Sequence, residues 1–438
     1  MIRNRKIGPV LATLLVANNM IGSGIFLLPA TLATVGSITI VGWLLATVSA
    51  LVIAAVLAKL GQMAPEAGGP VAYAGTALGP YIGFQATVLY WICAWVGNMA
   101  IALAAVGYLA TFFPGMSATP IATCVSVIAL LWLTTVANFG GPSITGKIGS
   151  ITVWGVIIPV GSLSFIGWFW FSSDTFAQAW NPQGLSIGEG MGSSIALTLW
   201  AFLGMESAAQ NSDAVENPKR DVPLACLFGT LGAAVIYVLS TAVIQGIVPN
   251  AELAESTGPF GLAFAKMFSP AVGSIIMALA IAACVGSLLG WQFTLSSTAK
   301  SAADGNMFPQ VFAKVNSLGA PITGMIILGV VQTLLALSTI SPSLSEQFGA
   351  LVNLAVVTNV IPYILALSAL PVMMKANNVA SNVYTRNMVI TVIAMLYSVY
   401  ALYASGGSAV MGGMLVLGLT YVIWGFISNR FTAGTVKA

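Results

Sequence analysis

The sequence predicts an all-α polytopic membrane protein with about twelve transmembrane helices, and three observations predict it. Of the 438 residues, 58% are hydrophobic and only 6% are charged, whereas soluble domains carry roughly 25% charged residues. Apolar windows of about 20 residues, enough for a helix to cross a bilayer, recur from Ile7 to the C-terminus. The stretches between them are short and rich in Gly, Pro, Asn and Ser, so no length is left for a soluble domain. A water-soluble fold is excluded.

The first apolar run follows the basic start MIRNRKIGPV. It continues past a signal-peptide core without a small-residue cleavage site, and reads as a retained first membrane helix. The spans begin near Val10, Gly42, Ile82, Ile121, Ile151, Ser194, Ala225, Val272, Ile322, Ala350, Met388 and Gly412. With the N-terminus inside, the cytoplasmic segments hold Arg3, Arg5, Lys6, Lys59, Lys147, Lys219, Arg220, Lys300, Lys314, Lys375, Arg386, Arg430 and Lys437, every basic residue except Lys266. The positive-inside rule therefore places both termini in the cytoplasm. Cys93, Cys124, Cys226 and Cys284 lie in or beside apolar segments without CxxC spacing and read as small buried hydrophobes, not metal or disulfide positions. There is no histidine, so no metal or cofactor is expected and any proton chemistry falls to carboxylates.

Asp174, Glu189, Glu252, Glu255 and Glu346 fall in outer loops, and Glu66, Asp213, Glu216, Asp221 and Asp304 in inner ones; only Glu206, in TLWAFLGMES, lies within a span. A charge at the bilayer centre costs at least about 2.5–3.5 kcal/mol, so it faces a cavity or a partner. No basic residue sits at that depth, which leaves as partner a proton or something arriving from solution. The bland alternative is a protonated Glu bonded to a neighbouring helix.

Gly204 lies two residues before Glu206, and the first span carries a matching interruption in NNMIGSGIFLLP, where Gly22 and Gly24 flank Ser23. Glycines in spans one and six point to broken helices at a midplane binding site in a transporter of inverted repeats, where freed backbone groups face the substrate. Small residues that merely let helices pack closely would explain the first break alone. Trp200, Trp291 and the trio Tyr90, Trp91 and Trp95 add aromatic faces, which attract ammonium groups by roughly 0.5–2 kcal/mol. Trp168, Trp170 and Trp180 read as interfacial anchors. GPSITGK, from Gly141 to Lys147, fits the start of a phosphate loop, but Ile148 stands where Ser or Thr should bind magnesium; it reads as a cytoplasmic turn.

NNMIGSGIFLLPA, TLWAFLGMESA, VENPKRDVP, GSLLGWQFT and LVNLAVVTNVIPYIL together resemble, over nearly the whole chain, the amino acid/polyamine/organocation (APC) superfamily, within it the basic amino acid/polyamine antiporters. VANFGG, ITVWGVIIPV and IGWFWFS look most like its putrescine/ornithine-exchanging members. GGPVAYAG and LYWICAWVGN look more like its lysine/cadaverine and arginine/agmatine members. The resemblance implies two inverted repeats of five helices, about 7–172 and 190–375, then two further helices, about 386–429, in one domain over 1–438, and in many members a homodimer. It implies that the backbone amides at Ser23 and Gly24 bind an α-carboxylate and that Trp200 stacks on the substrate. Trp291 would line and gate the path, Tyr90 and Asn98 would line it and sense the amine, Glu206 would bind amine or proton, and Tyr363 would gate.

Two departures stand out. The putrescine/ornithine members carry further acids in the first cytoplasmic loop and the C-terminal tail, where this chain has Gly75 and Thr76 and no acid after Glu346. Ala355 and Asn359 replace the Ser and Thr of the arginine/agmatine members, leaving fewer hydroxyls for a planar guanidinium. The expected function is transport of putrescine across a bacterial inner membrane by alternating access, by ornithine exchange or proton coupling through Glu206. The alternative is arginine/agmatine or lysine/cadaverine exchange. Diamines, basic amino acids and the lipid bilayer are the expected partners. Nucleic acid is not; the single acid and paired helix breaks favour a gated central site over a channel's continuous pore, and one Glu with no His offers little for an enzyme.

Overall fold

The computed structural model describes residues 8–21, 23–64, 69–210, 215–340 and 343–428, and among them no extended strand occurs. Arg3, Arg5, Lys6, Gly22, Glu66, Asp213, Arg430 and Lys437 lie outside the described residues.

Proline sets many of the helix starts. Pro9, Pro70, Pro80, Pro120, Pro142, Pro218, Pro259 and Pro270 each open a helix, where a missing N–H removes no intrahelical bond. The first span is interrupted: α1 (Pro9–Met20) ends before a 3₁₀ turn, Ser23–Phe26, and α2 (Leu28–Ala33) resumes beyond it. Next come α3 (Thr39–Met63), the short α4 (Pro70–Leu78), α5 (Pro80–Ala110) and α6 (Pro120–Ala137). The following span runs as α7 (Pro142–Thr152), α8 (Trp154–Val156), a π turn at Ile157–Gly161 and α9 (Ser162–Ile166). After α10 (Ser173–Gln178), a second interrupted span pairs α11 (Ile187–Trp200) with α12 (Ser207–Gln210). There follow α13 (Pro218–Ile247), α14 (Asn250–Ala254), α15 (Pro259–Met267), α16 (Pro270–Asp304), α17 (Ile322–Ser338), α18 (Leu344–Ala376), α19 (Ser381–Ala404) and α20 (Gly407–Ile427).

Nine helices among the described residues are long and apolar enough to cross a membrane, and α17 adds a shorter apolar helix. The core lies where α5 packs along α18 and α16, and where α13 packs along α1 and α3. α20 stays at the periphery and turns an apolar face outward, with Phe426 82% exposed.

GPSITGK is not a turn, contrary to the reading of the sequence. The helix α7 begins at Pro142, and Gly141 caps it at φ +83°, with its backbone pressed against the Leu318 carbonyl. A positive φ is cheap only for glycine, and the proline after it is preset for the first helical turn. Lys266, the exception to the basic-residue asymmetry, is paired with Glu252 at 2.8 Å. The four cysteines are buried and free, and the described residues form no metal-binding cluster.

Candidate functional site

The second interruption begins where α11 ends. From Ala201 to Glu206 the chain proceeds in tight turns closed by bonds such as Phe202 N–H to the Leu199 carbonyl at 2.9 Å and Leu203 N–H to the Trp200 carbonyl at 3.1 Å. Gly204 makes this path: its φ is +103°, and a Cβ there would lie 3.3 Å from the Asn19 carbonyl oxygen, on the last turn of α1. The two broken spans therefore meet at this glycine.

Glu206 is 1% exposed. The Tyr90 hydroxyl, from α5, donates to its Oε1 at 2.9 Å, and the Tyr363 hydroxyl, from α18, donates to its Oε2 at 2.6 Å. The Gly204 N–H donates to the same Oε2 at 3.2 Å. Among the described residues no Lys or Arg pairs with it. Three neutral donors hold the carboxylate in place without cancelling its charge, which leaves it able to attract a cation or accept a proton.

A cavity of about 90 Å³ lies beside it, and Tyr90, Asn98, Trp200, Glu206 and Trp291 all line it. Asn19, Cys93, Tyr237 and Asn359 line it as well. The structure thus gathers five of the residues singled out from the sequence around one space. Trp200 stands edge-on to Phe348, ring centroids 5.4 Å apart, which holds the indole at the wall. Asn98 donates to the Gln292 side chain at 3.3 Å, and Gln292 donates to Gln332 at 2.7 Å, a buried amide chain linking α5, α16 and α17. Tyr363 is fully buried and reaches the cavity through its bond to Glu206. At Ser23 and Gly24 only the backbone is described, and its 3₁₀ turn leads directly to Ile25 on the cavity wall.

A wider vestibule of about 1340 Å³ shares Asn19, Tyr90, Ala94 and Trp291 with this cavity. It runs toward Thr76, Ser301 and Met307, at the end of the bundle that carries Lys300. Among the described residues no charged side chain lines it, but many hydroxyls do. Thr87, Thr152, Thr294 and Thr298 donate their protons to carbonyls one turn back on their own helices, at 2.7–3.0 Å. Ser207 does the same to Gly204 at 2.6 Å.

The sequence reading grouped Trp95 with Tyr90 and Trp91 as one aromatic set. Tyr90 and Trp91 reach the cavities; Trp95 lines neither, and its carbonyl accepts from Gln332 at 3.2 Å. Trp91 packs edge-on against Phe308, at 5.3 Å between centroids, so it walls the vestibule and not the central cavity. Gln292, Gln332 and Asn19 carry no charge and so do not stand out in the sequence as Glu206 does, although an amide in an apolar helix is itself a signal.

A match to the amino acid permease family covers residues 7–427. The chain is 52% identical to the putrescine transporter PotE of Escherichia coli and 50% identical to that of Haemophilus influenzae, each over 98% of both chains. It is 38% identical to an Escherichia coli cadaverine/lysine antiporter over 82% of each. The interrupted spans, the buried acid between them and these similarities lead to one assignment: the chain belongs to the amino acid permease family of the APC superfamily.

Proposed function

We propose that this protein is a secondary transporter of putrescine in a bacterial inner membrane, working by alternating access. The observation that carries the reading is Glu206: a buried carboxylate with three neutral donors, no described cationic partner, and a place where two broken spans meet a cavity. An ammonium is the counter-charge that such a site lacks, and the rings of Trp200, Trp291 and Tyr90 line the space its methylene chain would occupy. The identity to putrescine transporters supports the substrate, and the lower identity to the cadaverine/lysine antiporter makes that pair the second choice.

In this reading the nine long helices, α17 and the two interrupted spans make twelve crossings, arranged as five and five in inverted repeats plus α19 and α20, with both termini cytoplasmic. The vestibule opens on the cytoplasmic side, so the state described is inward-open. Trp291, shared by cavity and vestibule, gates the inner path together with Tyr363. Proton and ammonium compete for the Glu206 carboxylate, which suffices for proton-linked uptake; exchange for ornithine would add the backbone amides at Ser23 and Gly24 as a carboxylate site.

The test is uptake of labelled putrescine into proteoliposomes preloaded with putrescine, ornithine, cadaverine, lysine, agmatine or nothing, at two external pH values, for wild type and Glu206→Gln. Uptake driven by internal putrescine or ornithine, and abolished in the variant, supports the reading. Uptake driven only by cadaverine or agmatine overturns the substrate, and normal uptake by the variant overturns the site.

A further inference from the structure

The helix α5 passes three zones in order. Its Pro80 end lines the vestibule, its middle from Tyr90 to Ile101 lines the central cavity, and Tyr108 lies two helical turns, roughly 10 Å, beyond Ile101. Tyr108 is therefore on the side of the cavity away from the vestibule, and it is not among the described residues that line either space.

Three elements converge there. The Tyr108 hydroxyl donates to the Phe26 carbonyl at 3.0 Å and accepts from the Phe260 N–H at 3.2 Å. Phe26 closes the 3₁₀ turn that interrupts the first span, and Phe260 lies in the first turn of α15. The Phe26 ring stands edge-on to the rings of Tyr108 and Phe260, with centroids 5.6 and 5.3 Å away. All three side chains are fully buried. One hydroxyl thus joins α5, the broken first span and the hairpin of α14 and α15, using its proton for one partner and a lone pair for the other.

The hairpin is held on both sides. α15 lies so close to α16 that a Cβ at Gly273 would meet the Gly261 carbonyl at 2.6 Å, and α14 packs on α2, the resumed half of the first span. Ile25, the residue before Phe26, is on the cavity wall, so a displacement of Phe26 is passed directly to the site. Opening a path on this side requires Phe26 to part from Tyr108 and Phe260, which breaks both hydrogen bonds and both ring contacts. Buried N–H and carbonyl groups resist that loss, so the junction favours a shut far side.

We propose that Tyr108 is a positioning residue of the transport cycle: its hydroxyl latches the break of the first span to the α14–α15 hairpin, keeps the far side shut while the vestibule is open, and releases when the site turns to the other face. It touches no substrate and acts through Phe26 and Ile25. The inference rests on the alternating-access reading above, because a latch of this kind has a role only where the site changes face.

The test is the half-saturation concentration for uptake of labelled putrescine at each face of the full chain, in right-side-out and in inside-out membrane vesicles. Apparent affinity at a face scales with the fraction of protein open to it, so the ratio of outer to inner half-saturation reads the balance of the two states. Tyr108→Phe, which loses both latch hydrogen bonds, should lower that ratio about fivefold or more. Phe260→Leu, which keeps the backbone N–H and removes one ring contact, should shift the ratio the same way by less; it carries the test if Tyr108→Phe does not fold. Lys266→Ala, on the same hairpin but outside the latch, should leave the ratio as it was. A Tyr108→Phe protein whose maximal rate falls with the ratio unchanged, or whose ratio rises, overturns the inference alone. A wild type that moves no putrescine at either face overturns the transporter reading and this inference with it.

Discussion

Replacing Glu206 by Gln should separate binding from folding. With an ammonium about 4 Å from the carboxylate carbon and an effective dielectric near 20, the attraction is about 4 kcal/mol. The Gln carbonyl still accepts one bond and returns about 1 kcal/mol. The net loss, about 3 kcal/mol, weakens putrescine binding on the order of 10²-fold. Stability should move the other way. The variant has one acceptor oxygen for Tyr90, Tyr363 and the Gly204 N–H, which costs on the order of 1 kcal/mol for each donor left over. It also removes a buried charge with no cationic partner, whose burial costs several kcal/mol. The expected protein melts at the wild-type temperature or above it while hardly binding its substrate. Isothermal titration and a thermal melt on the same nanodisc sample read both quantities. A variant with a lowered Tm and unchanged affinity would refute the reasoning, because Glu206 would then be a structural link among three helices.

Other substitutions test single contacts. Gly204→Ala forces a side chain into positive φ and against the Asn19 carbonyl, which should cost about 1–2 kcal/mol in a melt and impair transport as well, since the same turn sets the N–H aimed at Glu206. Tyr363→Phe leaves Glu206 Oε2 with the Gly204 N–H alone; an altered pH profile of uptake, with the chain still folded, is expected, and an unchanged profile would remove Tyr363 from the site. Gln292→Leu breaks the amide chain to Gln332 and orphans the Asn98 N–H, and should lower stability by about 1–3 kcal/mol. Lys266→Ala, which removes a partly exposed pair with Glu252, should shift the melt by less than about 1 kcal/mol and leave transport as it was.

The membrane fold and the broken helices were legible because they rest on unambiguous signals. Twenty-residue apolar runs have one main use, and Gly24 and Gly204 lie where two of them are interrupted, at residues that cannot easily stay helical. Glu206 was legible as an acid deep in an apolar run, but it is not the one acid in a long helix. Asp221, Asp304 and Glu346, read as loop acids, lie in the terminal turns of α13, α16 and α18, because these helices extend beyond their apolar stretches, and Asp221 is buried. What a helix faces was much less legible. α5 is apolar nearly all round, so no polar face marks its rotation, and Trp95 could not be told from Tyr90 as a cavity residue without the packing of α16 and α17. The start of α7 was misjudged because glycine and proline punctuate both turns and helix N-termini. The amide chain from Asn98 through Gln292 to Gln332 joins three helices far apart in sequence, and no local pattern announces such a partnership.

The vestibule hydroxyls bear on speed. Thr87, Thr152, Ser207, Thr294 and Thr298 have their protons tied to backbone carbonyls, so toward the water they turn lone pairs only. In the proposed cycle a departing cation can trade its grip from one weak acceptor to the next, and among the described lining residues it meets no second carboxylate. On the proposed function, the free-energy profile from Glu206 outward is then a ramp of shallow steps with one deep basin at its head. An acid introduced anywhere along that ramp would deepen retention and slow every cycle, even where it raised the affinity measured at equilibrium.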